Sequence, residues 1–279
     1  MSQGAIVQVF ATSHSPGIAG WPERAGEGQY EAVMAGYAEV ARRLHEMKPD
    51  AIIAVSVEHF TNFHLGNHPP FAIATGESYL GPVTEEMARF LKVPQQQYPG
   101  HAELGRHVLE FALEAEFDPA LIEGGLAFDE NFCTPWKYLD PDATIPMVPI
   151  IVNGVNPPWP TLRRCYAFGQ MLRRAVAAQS LVEKVAVIAT GGLSHSVGTP
   201  DSGYIDERFD RDFLERLSAG DPDRLVDFSN DEIDAAGNGA HEIRTWLVAA
   251  GAAGTPFDVL AYEPVPEWLT GTGVAAARL

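Results

Sequence analysis

The chain is poor in cysteine and in basic residues, and it has no long apolar run. Its two cysteines, Cys133 and Cys165, lie far apart with no metal-ligand spacing. That excludes a disulfide framework and a thiolate zinc cluster, and it fits reduced thiols in a cytoplasmic protein. Basic residues number 19 against 37 acidic ones, a formal net charge of −18. Such a balance argues against charge-driven binding to nucleic acid or to an anionic membrane. No segment offers the roughly 18 unbroken apolar residues of a membrane span. The opening Met1-Ser2-Gln3-Gly4 lacks the basic and apolar regions of a secretory leader. Absent too are G-x-G-x-x-G, a Walker loop and the G-x-S-x-G elbow, which disfavours nucleotide binding and α/β-hydrolase chemistry. No repeat, low-complexity tract or linker divides the 279 residues, so one domain over 1–279 is expected.

What is present is an alternation of β-rich and helical patterns, the signature of an α/β layer architecture. Apolar runs predict strands at 6–11, 51–57, 71–75, 121–123, 147–152, 184–189 and 257–262. Helical periodicity predicts helices near 30–47, 84–91, 102–116, 161–179, 206–217, 222–228 and 239–250. Asn156-Pro157-Pro158-Trp159-Pro160 is a hard stop before the 161–179 helix. In the 102–116 helix, Leu104, Val108, Phe111 and Leu113 fall on or near one face. Residues 94–100 and 61–70 read as loops. The Gly/Pro-rich stretch 16–29 and the 61–70 loop are expected to shape a pocket mouth.

Three of nine histidines follow apolar strands directly. His14 lies in Ala11-Thr-Ser-His-Ser-Pro-Gly17, His59 in Val57-Glu-His-Phe60, and His195 in Thr190-Gly-Gly-Leu-Ser-His-Ser196. In an open α/β sheet the carboxyl ends of the strands form the crevice where ligands bind. A lone histidine is more often a packing residue; three at corresponding strand ends point to a shared metal or proton-transfer site. Imidazole suits iron and zinc, and such a site needs at least three protein ligands. The missing carboxylate could come from many acids. Glu242, early in the predicted helix beginning at Gly239, is the most suggestive, although an acid there ordinarily complements the helix dipole. His241 would point about 100° away from it and so not share the site. His64-x3-His68 has metal-like spacing but sits in a loop, and His101 and His107 need no more than capping or exposure. Ser194-His195-Ser196 does not make a serine hydrolase, because adjacent side chains on an extended segment diverge.

Taken in order, these pieces resemble the class III extradiol ring-cleavage dioxygenases, in particular the catalytic β-subunit type of protocatechuate 4,5-dioxygenase. The resemblance runs through Thr12-Ser-His-Ser-Pro16, the strand ending at His59, and Pro99-Gly-His-Ala-Glu-Leu104. It continues in Val148-Pro-Ile-Ile-Val-Asn153, Arg164-Cys-Tyr-Ala-Phe-Gly169, Gly191-Gly-Leu-Ser-His195 and the Glu242 helix with Trp246-Leu247. It covers nearly the whole chain, and each piece is short, but their order and spacing are specific. The resemblance implies a mostly parallel or mixed sheet flanked by helices. It implies His14, His59 and Glu242 as ligands of one Fe(II), with His195 as the acid-base residue, and it is the resemblance that selects Glu242 among the acids. The activity implied is insertion of both atoms of O2 into a small aromatic ring with meta cleavage.

One departure stands out. With Asp129 aligned on the aspartate of the family's Asp-His-Gly motif, the substrate-contacting histidine is replaced by Glu130. A neutral imidazole can donate a hydrogen bond, whereas a carboxylate only accepts. Glu130 is therefore expected to accept from a substrate N–H or O–H, which brings aminophenol and hydroxypyridone rings into competition with a catechol acid. A non-enzymatic metal-binding protein on the same scaffold and a zinc hydrolase are the alternatives; retention of His195 beside the full triad favours the enzyme. Neither a homo-oligomer nor the small helical partner subunit that some relatives need is indicated or excluded by the sequence.

Overall fold

The computed structural model describes residues 3–279; Met1 and Ser2, where the sequence was read for a leader, lie outside them. Strand β1 (Ala5–Thr12) runs into a short helix α1 (Pro16–Gly20) and the long α2 (Gln29–Met47). Then come β2 (Ala51–Ser56), β3 (Phe71–Ala74), β4 (Ser78–Gly81), α3 (Glu85–Leu91), β5 (Gln96–Pro99) and α4 (Ala102–Glu114). The middle of the chain forms β6 (Ala120–Ile122), α5 (Glu130–Leu139), β7 (Met147–Val152), α6 (Leu162–Ala177) and β8 (Lys184–Thr190). The last third forms α7 (Glu207–Ala219), α8 (Pro222–Leu225), α9 (Asn230–Ala235), α10 (Ile243–Ala253), β9 (Phe257–Val265) and β10 (Thr270–Ala277).

Eight strands make one mixed sheet in the order β6-β3-β7-β2-β8-β1-β10-β9. The four central strands β7, β2, β8 and β1 are mutually parallel, whereas β3 and β10 run antiparallel to their inner neighbours. The central strands are buried on both faces, which is why they read as continuous apolar runs rather than alternating ones. Alternate side chains nevertheless part to two cores. Val9, Ala11, Ile53, Val55, Val187 and Ala189 pack on one face against Leu104, Phe168, Phe213 and Trp246. Phe10, Ile52, Ala54 and Ile188 pack on the other against Tyr37, Leu44, Phe132 and Trp136. The result is a helix–sheet–helix sandwich. Every residue of α10 is buried; it lies against α6, where a Cβ on Gly169 would run into the Val248 carbonyl.

Some expectations change here. The 94–100 loop contains β5, which pairs antiparallel with β4 in a small separate two-stranded sheet. The segment after Asp129, where no helix is predicted, is helix α5 with Asp129 as its N-cap. Pro135 inside that helix disguised it. Strand β10 was not anticipated, because Thr270-Gly-Thr-Gly-Val-Ala-Ala-Ala277 has little β-branched or aromatic content; it is held by β1 and β9 on either side. On α4 the buried stripe is Leu104, Val108 and Ala112, and Leu113 is exposed, since five residues from Val108 turn it about 140° off that face. Among the described residues no helix is long and apolar enough to cross a membrane.

Candidate metal centre

Strands β1, β2 and β8 end at one edge of the sheet, and His14, His59 and His195 stand two, three and five residues beyond them. The order β2-β8-β1 makes these three loops neighbours. Glu242 enters from elsewhere, at the end of a 3-10 turn (Ala240–Glu242) that feeds α10. Its carboxylate faces all three rings: His14 Nε2 lies 3.3 Å from Oε2, and the Nε2 atoms of His59 and His195 lie 3.5 Å from Oε1. Ligand atoms of His14, His59 and Glu242 all lie within 4.8 Å of one another. The His14 and His59 rings meet edge-on at 89° with centroids 5.2 Å apart.

Each imidazole is oriented through its other nitrogen. The His59 Nδ1–H donates to Asp129 Oδ1 at 3.2 Å, while the His59 backbone N–H donates to Asp129 Oδ2 at 2.8 Å. His14 Nδ1 lies 3.1 Å from the Thr190 hydroxyl, which itself donates to the Asn131 carbonyl at 2.8 Å. That carbonyl is open because its helical partner four residues on is Pro135, which has no N–H. With the Thr190 proton so committed, Nδ1 of His14 is the donor. Both rings thus turn an Nε2 lone pair toward Glu242, the arrangement by which ligating histidines are fixed in one tautomer. His14 Nε2 is buried with no hydrogen-bond partner. A buried polar atom is rarely left so without a reason, and a cation at this point is the partner that suits it.

His195 is held differently. Its Nδ1–H donates to the Leu193 carbonyl at 2.8 Å, leaving Nε2 free toward the cavity. Burial works to lower its basicity, but the Glu242 carboxylate and the Leu193 carbonyl raise its pKa above the ordinary histidine value. Burial likewise works against the charged form of Glu242, yet His195 and His14 hold its carboxyl well below the usual range. Partial burial works against the charged form of His59 as well, but Glu130, Asp129 and Glu242 hold its imidazolium well above the usual value. Negative charge therefore dominates around these rings, and protons or a metal cation must balance it.

The cavity over this cluster has a volume of about 320 Å³, at the small end of the ~300–1,000 Å³ typical of ligand sites. Its walls include Pro16, Phe60, Glu130, Val197, Trp268 and Leu269. Of the two segments expected at its mouth, only Pro16 comes from 16–29, and 61–70 supplies no lining residue. The Trp268–Thr270 wall comes from the unanticipated β9–β10 turn. Glu130 lies with a carboxylate oxygen 3.4 Å from His59 Nδ1. His241, although adjacent to Glu242, is outside the cluster. It stacks on Trp159 at 3.7 Å and bridges Asp234 and Arg244. His101 caps α4 through Leu104 N–H.

Sequence reasoning missed the roles of the groups that aim these side chains. Besides Asp129 and Thr190 they include Glu58, whose buried carboxylate accepts from the backbone N–H groups of Asn62 and Phe63 and pins the loop after His59. A polar residue closing an apolar strand, as at Ser56 and Thr190, was the available signal. On the other side of the His195 loop, Asp210 of α7 accepts from Ser194 N–H, Ser194 Oγ and Tyr262 Oη, each at 2.8 Å. Burial pushes its pKa up from 3.8 to about 6. A carboxyl whose folded pKa is raised adds stability below its unfolded pKa, and that stability is lost as pH rises through the folded value. The wild type should thus lose on the order of 3 kcal/mol from this source between about pH 4 and pH 7. Urea midpoints across that range should show the slope, and Asp210→Asn should flatten it; an unaltered slope would refute the assignment.

Gly239 leaves room for the His195 ring, since a Cβ there would run into Nε2. Gly239→Ala should keep metal content but lower turnover on the order of 10- to 100-fold, the scale of misplacing a reacting group by about 1 Å. Turnover equal to wild type would show that this ring position is unimportant.

A parallel-cored α/β sandwich that gathers three histidines from its strand ends around one carboxylate, two of them close enough to share a cation with it, defines a candidate facial metal site of the oxygenase type. Residues 8–273 match the family of the catalytic LigB subunit of aromatic ring-opening dioxygenases, and the chain belongs to that family, of class III extradiol type. It is 37% identical over 157 residues to the gallate dioxygenase of Pseudomonas putida, covering 54% of this chain and 45% of that protein. The chain therefore spans less than half the length of that relative. It is 27% identical to the 2,3-dihydroxyphenylpropionate/2,3-dihydroxicinnamic acid 1,2-dioxygenase of Klebsiella pneumoniae, covering 95% of this chain and 96% of that one. The crystal structure of an uncharacterized Escherichia coli K12 protein superposes with a TM-score of 0.60 at 16% identity, over 96% of this chain and 98% of the other. That likeness shows a shared fold.

Proposed function

We infer that the protein is an Fe(II)-dependent extradiol dioxygenase that opens a small aromatic ring of catechol, aminophenol or hydroxypyridone type. The observation that carries this reading is the convergence of His14 Nε2, His59 Nε2 and the Glu242 carboxylate, with the first of these buried and without a hydrogen bond. Two neutral nitrogens and one carboxylate would hold the ion on one face. When bound, Fe(II) would supply the redox-active centre that dioxygen needs to react with a closed-shell ring.

The chain's own groups do the rest. The ring hydroxyl must lose a proton as it binds. His195 Nε2, locked toward the cavity by the Nδ1–H bond to Leu193, is the base that takes the proton and later returns it. Phe60, Val197, Trp268 and Leu269 supply apolar walls that exclude water and sandwich a flat ring. Glu130 contacts the ring's substituent side. Both oxygen atoms of O2 enter the product, so no other co-reactant is required.

The test is oxygen uptake by protein loaded anaerobically with Fe(II), against a panel of catechols and aminophenols, with product followed spectrally. Stoichiometric uptake and a ring-opened product are expected. Hydrolysis supported by Zn(II) with no oxygen consumption would replace this reading with a hydrolytic one. The thiol content, the acidic surface and the absence of a membrane-crossing helix among the described residues suit a cytoplasmic enzyme.

A further inference from the structure

We propose that the cavity selects rings whose substituent donates a hydrogen bond, a hydroxyl or an amine, and rejects rings bearing a carboxylate, with Glu130 as the selecting residue. This rests on the ring-cleavage reading above and narrows it. Both named relatives act on rings that carry a carboxylate, as gallate and dihydroxyphenylpropionate do. A pocket for such a ring needs a cation or a cluster of free donors to replace the water stripped from the anion.

Among the described residues the cavity wall holds no lysine or arginine. Its neutral polar side chains already have protein partners. Ser15 Oγ donates to the Trp268 carbonyl, and Thr270 Oγ1 donates to the same oxygen. Asn238 is doubly bonded to Val197, its Oδ1 accepting from the N–H and its Nδ2 donating to the carbonyl. The Gly192 N–H is taken by Glu242 at 2.6 Å. His14, His59 and Glu242 converge on one point, and His195 Nε2 faces the same point.

Glu130 is what remains. It opens the first turn of α5, is largely buried, and has His59 as its close charged neighbour. No protein hydrogen bond to its carboxylate is found among the described residues, so its lone pairs are free for an occupant of the cavity. A carboxylate on the ring would meet like charge in a half-enclosed site, where opposed charges are poorly screened. A hydroxyl or ammonium at the same place would donate to it. The rest of the wall is apolar and reads no further polarity.

The experiment is anaerobic calorimetry on the full chain loaded with Fe(II), using catechols that carry carboxylate, hydroxymethyl or aminomethyl at the same ring position. The carboxylate ring should bind at least ~10-fold more weakly than the hydroxymethyl ring. Glu130→Gln should shrink that gap to within about 3-fold, Glu130→Asp should retain it, and Glu130→Lys should invert it. A carboxylate ring that binds wild type as tightly as the others, or a gap indifferent to all three substitutions, would overturn the proposal. Oxygen uptake with the same rings keeps the two readings apart. Uptake with none of them would sink ring cleavage while the binding order still decides selectivity. Uptake that favours the carboxylate ring, with matching affinity, would sink the selectivity alone.

Discussion

Glu242→Ala should empty the metal site. The carboxylate is the only anionic donor in the group formed with His14 and His59, and it faces both Nε2 atoms at 3.3 and 3.5 Å. Two neutral imidazoles alone would bind a divalent ion without compensating its charge in a buried pocket. Altering a group that merely supports a ligand costs roughly 10–100-fold in metal affinity, so removal of a ligand should cost more than roughly 100-fold. Metal analysis after equilibration with limiting Fe(II) reads this directly. Glu242→Gln separates charge from shape, since it keeps an oxygen facing the histidines but no charge, and it should also bind weakly. Full occupancy in either variant would exclude Glu242 as a ligand. The fold should survive both substitutions, because α10 is anchored by Trp246 in the core and by Arg244, which binds the Pro160 carbonyl, His241 and Asn230.

His195→Ala should behave in the opposite way, keeping the metal and losing turnover by at least roughly 100-fold, the lower end of general acid–base contributions. The reason lies in the direction of the ring. Its Nδ1–H is spent on Leu193, so Nε2 is the only nitrogen that can exchange a proton with a ring hydroxyl in the cavity. His195→Gln keeps hydrogen-bonding capacity but not basicity and should be almost as slow. A single-turnover measurement under saturating Fe(II) checks both. Normal turnover in either variant would remove His195 from the reaction, and loss of metal would move it into the ligand set.

The strand runs that end in histidine were legible because a parallel core strand is apolar on both faces and its terminus is marked by a turn to small and polar residues. Helices α2, α4, α6 and α7 were legible for a similar reason: each carries a one-sided apolar stripe readable over a few turns. Helix α5 was hidden by Pro135, and β10 by its run of small residues, since both depend on neighbours more than on their own propensities. The Asn131 carbonyl shows the same dependence on a finer scale. A proline four residues away frees it, and a hydroxyl from β8 uses it to set the tautomer of a histidine at the end of β1.

Sequence by itself determined the layer architecture and the placing of His14, His59 and His195 at strand ends, because those follow from periodicities of a few residues. By periodicity alone Glu242 was one acid among many; the resemblance singled it out, and the tertiary structure brings the start of α10 to the three loops. Only the folded chain decided which nitrogen His14 and His59 present and which wall groups remain free, since these are set largely by contacts between residues dozens to hundreds of positions apart.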